Sequence, residues 1–202
     1  MKNLYLILLL FLLLGTISCG SAEEPSYDWD EQQAIEEQEE FTEQAQPTEE
    51  ELETQRIHDE YIDNSLNTGA TPYAYCFGKN KSCTTEGCSQ IKVTTPYNSD
   101  VLVIIKKNDK VYRHAYINGG SSYTFEFPDG TYQIFFYYGK GWYPGKEMKR
   151  TTCGLLKGGF VSSESFGKDD SQTLNNSILT YELVLQEGGN FSTSPSDSDE
   201  AF

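Results

Sequence analysis

Chemistry in this 202-residue chain has to be sought first in its cysteines, its two histidines and one cluster of aromatic residues. Four cysteines lie beyond residue 70: Cys76, Cys83, Cys88 and Cys153. An even number reads as two disulfides in an exported chain, because such bonds persist in oxidising compartments. Three pairings are open. The first three cysteines sit close together, so full pairing needs one bridge to the distant Cys153. That bridge would staple the 76–88 loop to the far side of a domain and add about 2–4 kcal/mol. Zinc is the other use of four thiols, but intervening stretches of six and four residues differ from the short Cys-x-x-Cys pairs of structural zinc. No metal and no other cofactor is expected.

Catalytic equipment is sparse. His58 falls in an acidic stretch, and His114 alternates in phase with Tyr112 and Tyr116, as a packed strand residue does. The chain has no Gly-x-Ser-x-Gly elbow, His-Glu-x-x-His pair, phosphate-binding Gly-Lys-Ser/Thr loop or EF-hand loop. A non-enzymatic protein is the expectation, with a small hydrolase using dispersed carboxylates as its rival. The candidate ligand surface is Tyr137-Tyr138-Gly139-Lys140-Gly141-Trp142-Tyr143, followed by the basic residues Lys146, Lys149 and Arg150. Rings presented on a glycine-rich loop with Lys140 among them suit stacking on a glycan or anchoring a protein partner. The structural alternative is that Trp142 and one tyrosine fold back to close the core.

These residues need a compartment and a scaffold, and the N-terminus speaks to the first. Lys2 precedes an apolar run over 4–14, small residues occupy 15–18, and Cys19 follows. A basic start, an apolar core of about 7–15 residues and a small-residue cut site make a secretory signal peptide, too short for a spanning helix. Thr16-Ile17-Ser18-Cys19 resembles the lipobox of bacterial lipoproteins, with Thr16 where that family favours Leu. The resemblance implies that residues 1–18 are removed, and that Cys19 becomes the acylated, palmitate-bearing N-terminus and the membrane anchor. Ser21-Ala22-Glu23-Glu24 further resembles the acidic export signal of Bacteroidota surface lipoproteins. That likeness implies a place in the cell envelope, on the outer membrane and exposed at the cell surface.

Charge separates the rest of the chain into two parts. Residues 20–66 hold 17 Asp and Glu against the single Arg56, and they carry nearly all of the net charge of −16. Sparse apolar residues make 19–69 read as a disordered acidic tether, extended by self-repulsion and unneeded for folding. One short helix is predicted over 48–63, where Thr48 and Glu51 after Pro47 form a capping box. The remainder is close to neutral and lacks the clustered Lys and Arg of a nucleic-acid binder.

Residues 70–190 read as one all-β domain. Runs over 90–95, 101–107, 110–117, 122–127, 131–138 and 177–186 are rich in β-branched and aromatic residues. Tyr123, Phe125 and Phe127 alternate with polar neighbours, as do Leu179, Tyr181, Leu183 and Leu185, so each run has one core face. Val101 to Ile105 is apolar on both faces and belongs at the centre of a sheet. Asn108-Asp109, Asn118-Gly119-Gly120 and Pro128-Asp129-Gly130 supply hairpin turns. The expected architecture is an immunoglobulin-like or transthyretin-like antiparallel β-sandwich, with a closed barrel as runner-up. Residues 139–176 conceal one or two further strands, placed near 149–153 and 159–166. The Ser- and Asp-rich 191–202 reads as a flexible C-terminal tail.

Overall fold

A computed structural model describes residues 46–184 and 193–202. The signal segment, Cys19 and most of the acidic tether lie outside the described residues. Residues Pro47–Phe202 form one compact unit.

The unit is an all-β sandwich. In chain order its elements are helix α1 (Glu49–Tyr61), helix α2 (Ala74–Phe77), strands β1 (Cys88–Thr94), β2 (Asp100–Lys107), β3 (Lys110–Ile117), β4 (Ser122–Pro128), β5 (Gly130–Thr151), β6 (Gly154–Lys168), β7 (Gln172–Leu174), β8 (Ile178–Glu182) and β9 (Ser194–Ser196), and helix α3 (Ser198–Ala201). One sheet has the order β4-β1-β8 and the other β3-β2-β5-β6-β9, with β7 added beside β5. Every pairing is antiparallel except β1 with β8, which run parallel with Ile91 opposite Leu179.

The alternation read from the sequence explains how the sheets face each other. Ile91 and Val93 from β1 and Phe125 and Phe127 from β4 meet Val101, Val103 and Ile105 from β2 and Ile134 and Phe136 from β5. Leu102 and Ile104 point the other way, into a second buried cluster with Tyr116, Phe135, Tyr137, Trp142 and Phe160. β2 is therefore buried on both faces, which is why its run is apolar throughout. Its turn into β3 places Asn108 at φ 52° and Asp109 at φ 59°, the left-handed pair that a two-residue hairpin requires.

Three departures from the sequence reading have physical causes. First, 139–151 is a continuation of β5, hairpinned with β6. The glycines that read as a loop mark irregular register, with shifts at Tyr138/Lys140 and Tyr143/Glu147. A Cβ at Gly139 would overlap the Phe160 side chain, and Gly141 has φ 70°, so both admit close backbone approach within a strand.

Second, the domain begins before residue 70. α1 carries the expected capping box, with Thr48 N–H donating to Glu51 Oε2 at 2.8 Å and Glu51 N–H to Thr48 Oγ1 at 3.2 Å. Beyond it, Trp142 N–H donates to Asn64 O at 2.7 Å and Asn64 Nδ2 donates to Trp142 O at 2.6 Å. Gly69 N–H donates to Tyr116 O and Tyr116 N–H to Ala70 O, both at 2.8 Å, so this segment covers the open edge of β3. Leu66 and Ala70 pack on the outer cluster.

Third, residues 194–202 are a docked strand and helical turn rather than a flexible tail. β9 pairs with the end of β6, Asp197 accepts from Glu200 N–H at 2.9 Å as an N-cap, and Ala201 is fully buried. Composition hid this, because only Ala201 and Phe202 supply apolar surface.

Candidate functional site

The four later cysteines form two disulfides. Cys76 joins Cys153 across a Cα–Cα distance of 5.5 Å, and Cys83 joins Cys88 across 6.0 Å. The long bridge ties helix α2 to the β5–β6 turn, the staple to Cys153 expected from the sequence. With all four sulfurs paired, the zinc alternative has no thiolates left to use. Among the described residues no group of three or more His, Cys, Asp or Glu is placed to hold a metal ion.

The aromatic candidates do not assemble into an open platform. Strand geometry sends alternate side chains to opposite faces. Tyr137 is fully buried on the outer face of the larger sheet, stacked on Phe166 at 4.3 Å between ring centres. Its hydroxyl donates to Glu164 and accepts from Phe160 N–H at 2.9 Å, and burial followed by the Glu164 contact pushes its pKa up. Tyr138 faces the opposite way and packs half-buried near Phe136. Trp142 is 2% exposed, set perpendicular to both Tyr116 and Phe160 at 5.4 Å. Tyr143 is half-buried and leans on Tyr61 at 4.7 Å, and of the five candidates Lys140 alone is exposed. The predicted ligand surface is thus mainly core, and the fold-back alternative describes Trp142 and Tyr137.

His114 lies under this outer cluster, fully buried beside Tyr73 and Phe77. Tyr73 N–H donates to its Nε2 at 3.1 Å, so that nitrogen must carry no proton. Burial lowers its pKa to about 4, and its buried Nδ1 has no hydrogen-bond partner among the described residues. Among the described residues no hydrogen bond joins its ring to a nucleophile or carboxylate, as a catalytic base would need.

An open, polar cleft of about 580 Å³ sits where the β2–β3 turn, the start of β5, the end of β6 and the 194–200 segment meet. Its principal side chains are Lys106, Asp109, Gln133, Lys168, Asp169 and Glu200. Lys168 Nζ donates to both Glu200 carboxylate oxygens at 2.7 and 2.9 Å, and Lys106 Nζ donates to Glu200 O at 2.7 Å. Asp169 is occupied by Tyr181 Oη at 2.6 Å and Gln172 Nε2 at 3.0 Å. The Glu200 carboxyl is held below its usual range by Lys168 and then Ser196. A carboxyl shifted that way stays anionic and is a poor proton donor. The cleft is therefore equipped to hold charged or polar groups by hydrogen bonding. No sequence signal marks it, because its walls come from residues about 95 positions apart in the chain.

No family model matches the chain, and no curated protein or solved structure is significantly similar to it. Among the described residues, no helix is long and apolar enough to cross a membrane. Fold and site together define a disulfide-stapled β-sandwich bearing a polar surface cleft.

Proposed function

We propose that this chain is a lipid-anchored protein of the bacterial cell envelope whose β-sandwich is a non-enzymatic binding module. The observation that carries the reading is the conjunction of the Lys2-to-Cys19 export pattern with two disulfides in the domain that follows. Each independently calls for an oxidising, extracytoplasmic location. An acidic stretch after Cys19 would hold the domain off anionic headgroups on the outer membrane.

For the ligand, burial of Trp142 and Tyr137 removes the main support for sugar stacking and leaves the polar cleft. Ammonium and carboxylate groups within one open cleft suit a protein segment better than a neutral glycan. The hydrolase rival needs a proton donor, and the downward shift of Glu200 works against it there.

Fractionation tests the anchor: wild-type protein should sediment with membranes and Cys19→Ser should not. A glycan array and envelope pull-down with the mature Cys19→Ser chain test the module, with Asp170→Arg, a cleft-lining change that leaves the lysine contacts to Glu200 in place, as control. Binding lost in the control supports the cleft. Specific binding of a glycan alone, unaffected by the control, would overturn the choice of site and ligand.

A further inference from the structure

The segment 193–202 is bound to the domain in the manner of a peptide ligand. Three elements of recognition succeed one another within ten residues. β9 extends the larger sheet, with Ser194, Pro195 and Ser196 opposite Lys168, Gly167 and Phe166. Lysines from three strands then grip the turn that follows. Lys106 Nζ reaches Glu200 O at 2.7 Å, Lys149 Nζ reaches Asp199 O at 2.6 Å and Phe202 O at 2.8 Å, and Lys168 pairs with the Glu200 carboxylate. Last come the apolar anchors: Ala201 is fully buried, and the Phe202 ring sits edge-on to Tyr73 at 5.2 Å and parallel to Phe77 at 6.3 Å. Strand addition, charge complementarity and an aromatic anchor are the components of peptide docking.

The segment also supplies its own order. Asp197 caps Glu200 N–H, and Ser196 Oγ donates to Glu200 Oε2 at 2.8 Å. The strand pairing, lysine contacts and anchors described above all belong to residues 194–202. A second molecule of the same sequence presents the same strand-and-turn, with Asp199, Glu200 and Phe202, to the same three lysines. Exchange of an identical element between copies adds no new contact type and costs little.

We propose that this groove is a peptide-docking site filled in cis by residues 194–202, and that the same segment of a second copy fills it in trans. Cis occupancy is an intramolecular contact that a dilute second chain competes with poorly, so exchange requires chains held close together. The inference does not depend on the open cleft binding any other ligand.

The test uses the mature Cys19→Ser chain with a protease site in place of Gly188-Gly189, cleaved after folding. The cleaved protein should keep its melting transition and take up a fluorescent, C-terminally amidated 193–202 peptide, competed by the unlabelled peptide but not by a scrambled one. Phe202→Ala in the peptide and Lys149→Glu in the domain should each weaken uptake about tenfold or more, the usual loss for an anchor. No uptake by the folded, cleaved protein overturns the docking site. Unfolding upon cleavage does so too, since it makes the segment part of the obligatory core. For the second copy, an intact Lys149→Glu/Lys168→Glu chain is mixed with cleaved protein washed free of its segment. Sedimentation should show a 1:1 complex, and monomers alone, when the peptide itself binds, would refute a second copy as the occupant.

Discussion

Replacing His114 with Gln isolates one buried ring and gives a pH dependence whose sign and size follow from its surroundings. Folded, the imidazole must stay neutral, because Nε2 accepts from Tyr73 N–H at 3.1 Å and water cannot reach it. Its pKa falls from 6.5 to about 4, through burial first. Between those values the unfolded chain binds a proton that the folded chain refuses. Stability from this residue is therefore complete above pH 6.5 and declines as pH falls toward 4. At 1.36 kcal/mol per unit the full window amounts to about 3 kcal/mol, and from pH 7.5 to 4.5 the loss is about 2–3 kcal/mol. Gln can accept from Tyr73 N–H with its amide oxygen and does not titrate. Urea unfolding of wild type and His114→Gln across that range cancels the carboxylates common to both. The gap in unfolding free energy between them should shrink or reverse toward acid. A gap constant with pH would refute the assignment of His114 as a buried neutral acceptor.

Trp142→Ala should cost about 3–5 kcal/mol, read by chemical denaturation, because the indole is enclosed by Tyr116, Phe160 and Tyr73; a change under about 1 kcal/mol would restore a surface role. Starting the chain at Asn67 should lower the melting temperature by roughly 5–10 °C, since it removes two Asn64–Trp142 hydrogen bonds and the packing of Leu66. An unchanged transition would show that the segment before residue 67 is only a tether. Removing Cys76–Cys153 as a double Ala variant should destabilise by about 4.5 kcal/mol and Cys83–Cys88 by about 2, as loop closures over separations of 77 and 5 residues imply. Equal losses would argue against the chain-entropy origin.

The parts of the fold visible in the sequence are those set by local pattern. The alternation of Tyr123, Phe125 and Phe127, the double-faced run of β2 and the Asn108-Asp109 turn correspond to strands and a hairpin in the structure. Thr48 and Glu51 likewise mark the start of α1. The misreadings came where tertiary contacts override local signals. Gly139 and Gly141 read as a loop because glycine weakens a strand, yet here close approach by Phe160 and Ile62 demands it. Alternation within 131–138 by itself puts Tyr137 and Tyr138 on opposite faces of β5, and only the extent of the strand past Gly139 has no local signal. The parallel pairing of β8 with β1, and the docking of 194–202 on three lysines from separate strands, are long-range facts with no local signature. For the same reason the polar cleft was invisible, whereas the Cys153 staple could be deduced by counting thiols.

Acylation of Cys19 is the point on which the envelope reading turns. Metabolic labelling with a fatty-acid probe, followed by purification and mass spectrometry of the N-terminal peptide, addresses it directly. Wild type should carry the probe on a chain that begins at Cys19, and Cys19→Ser should carry none. Equal labelling of both, or an unmodified chain still bearing residues 1–18, would contradict the lipid-anchored reading.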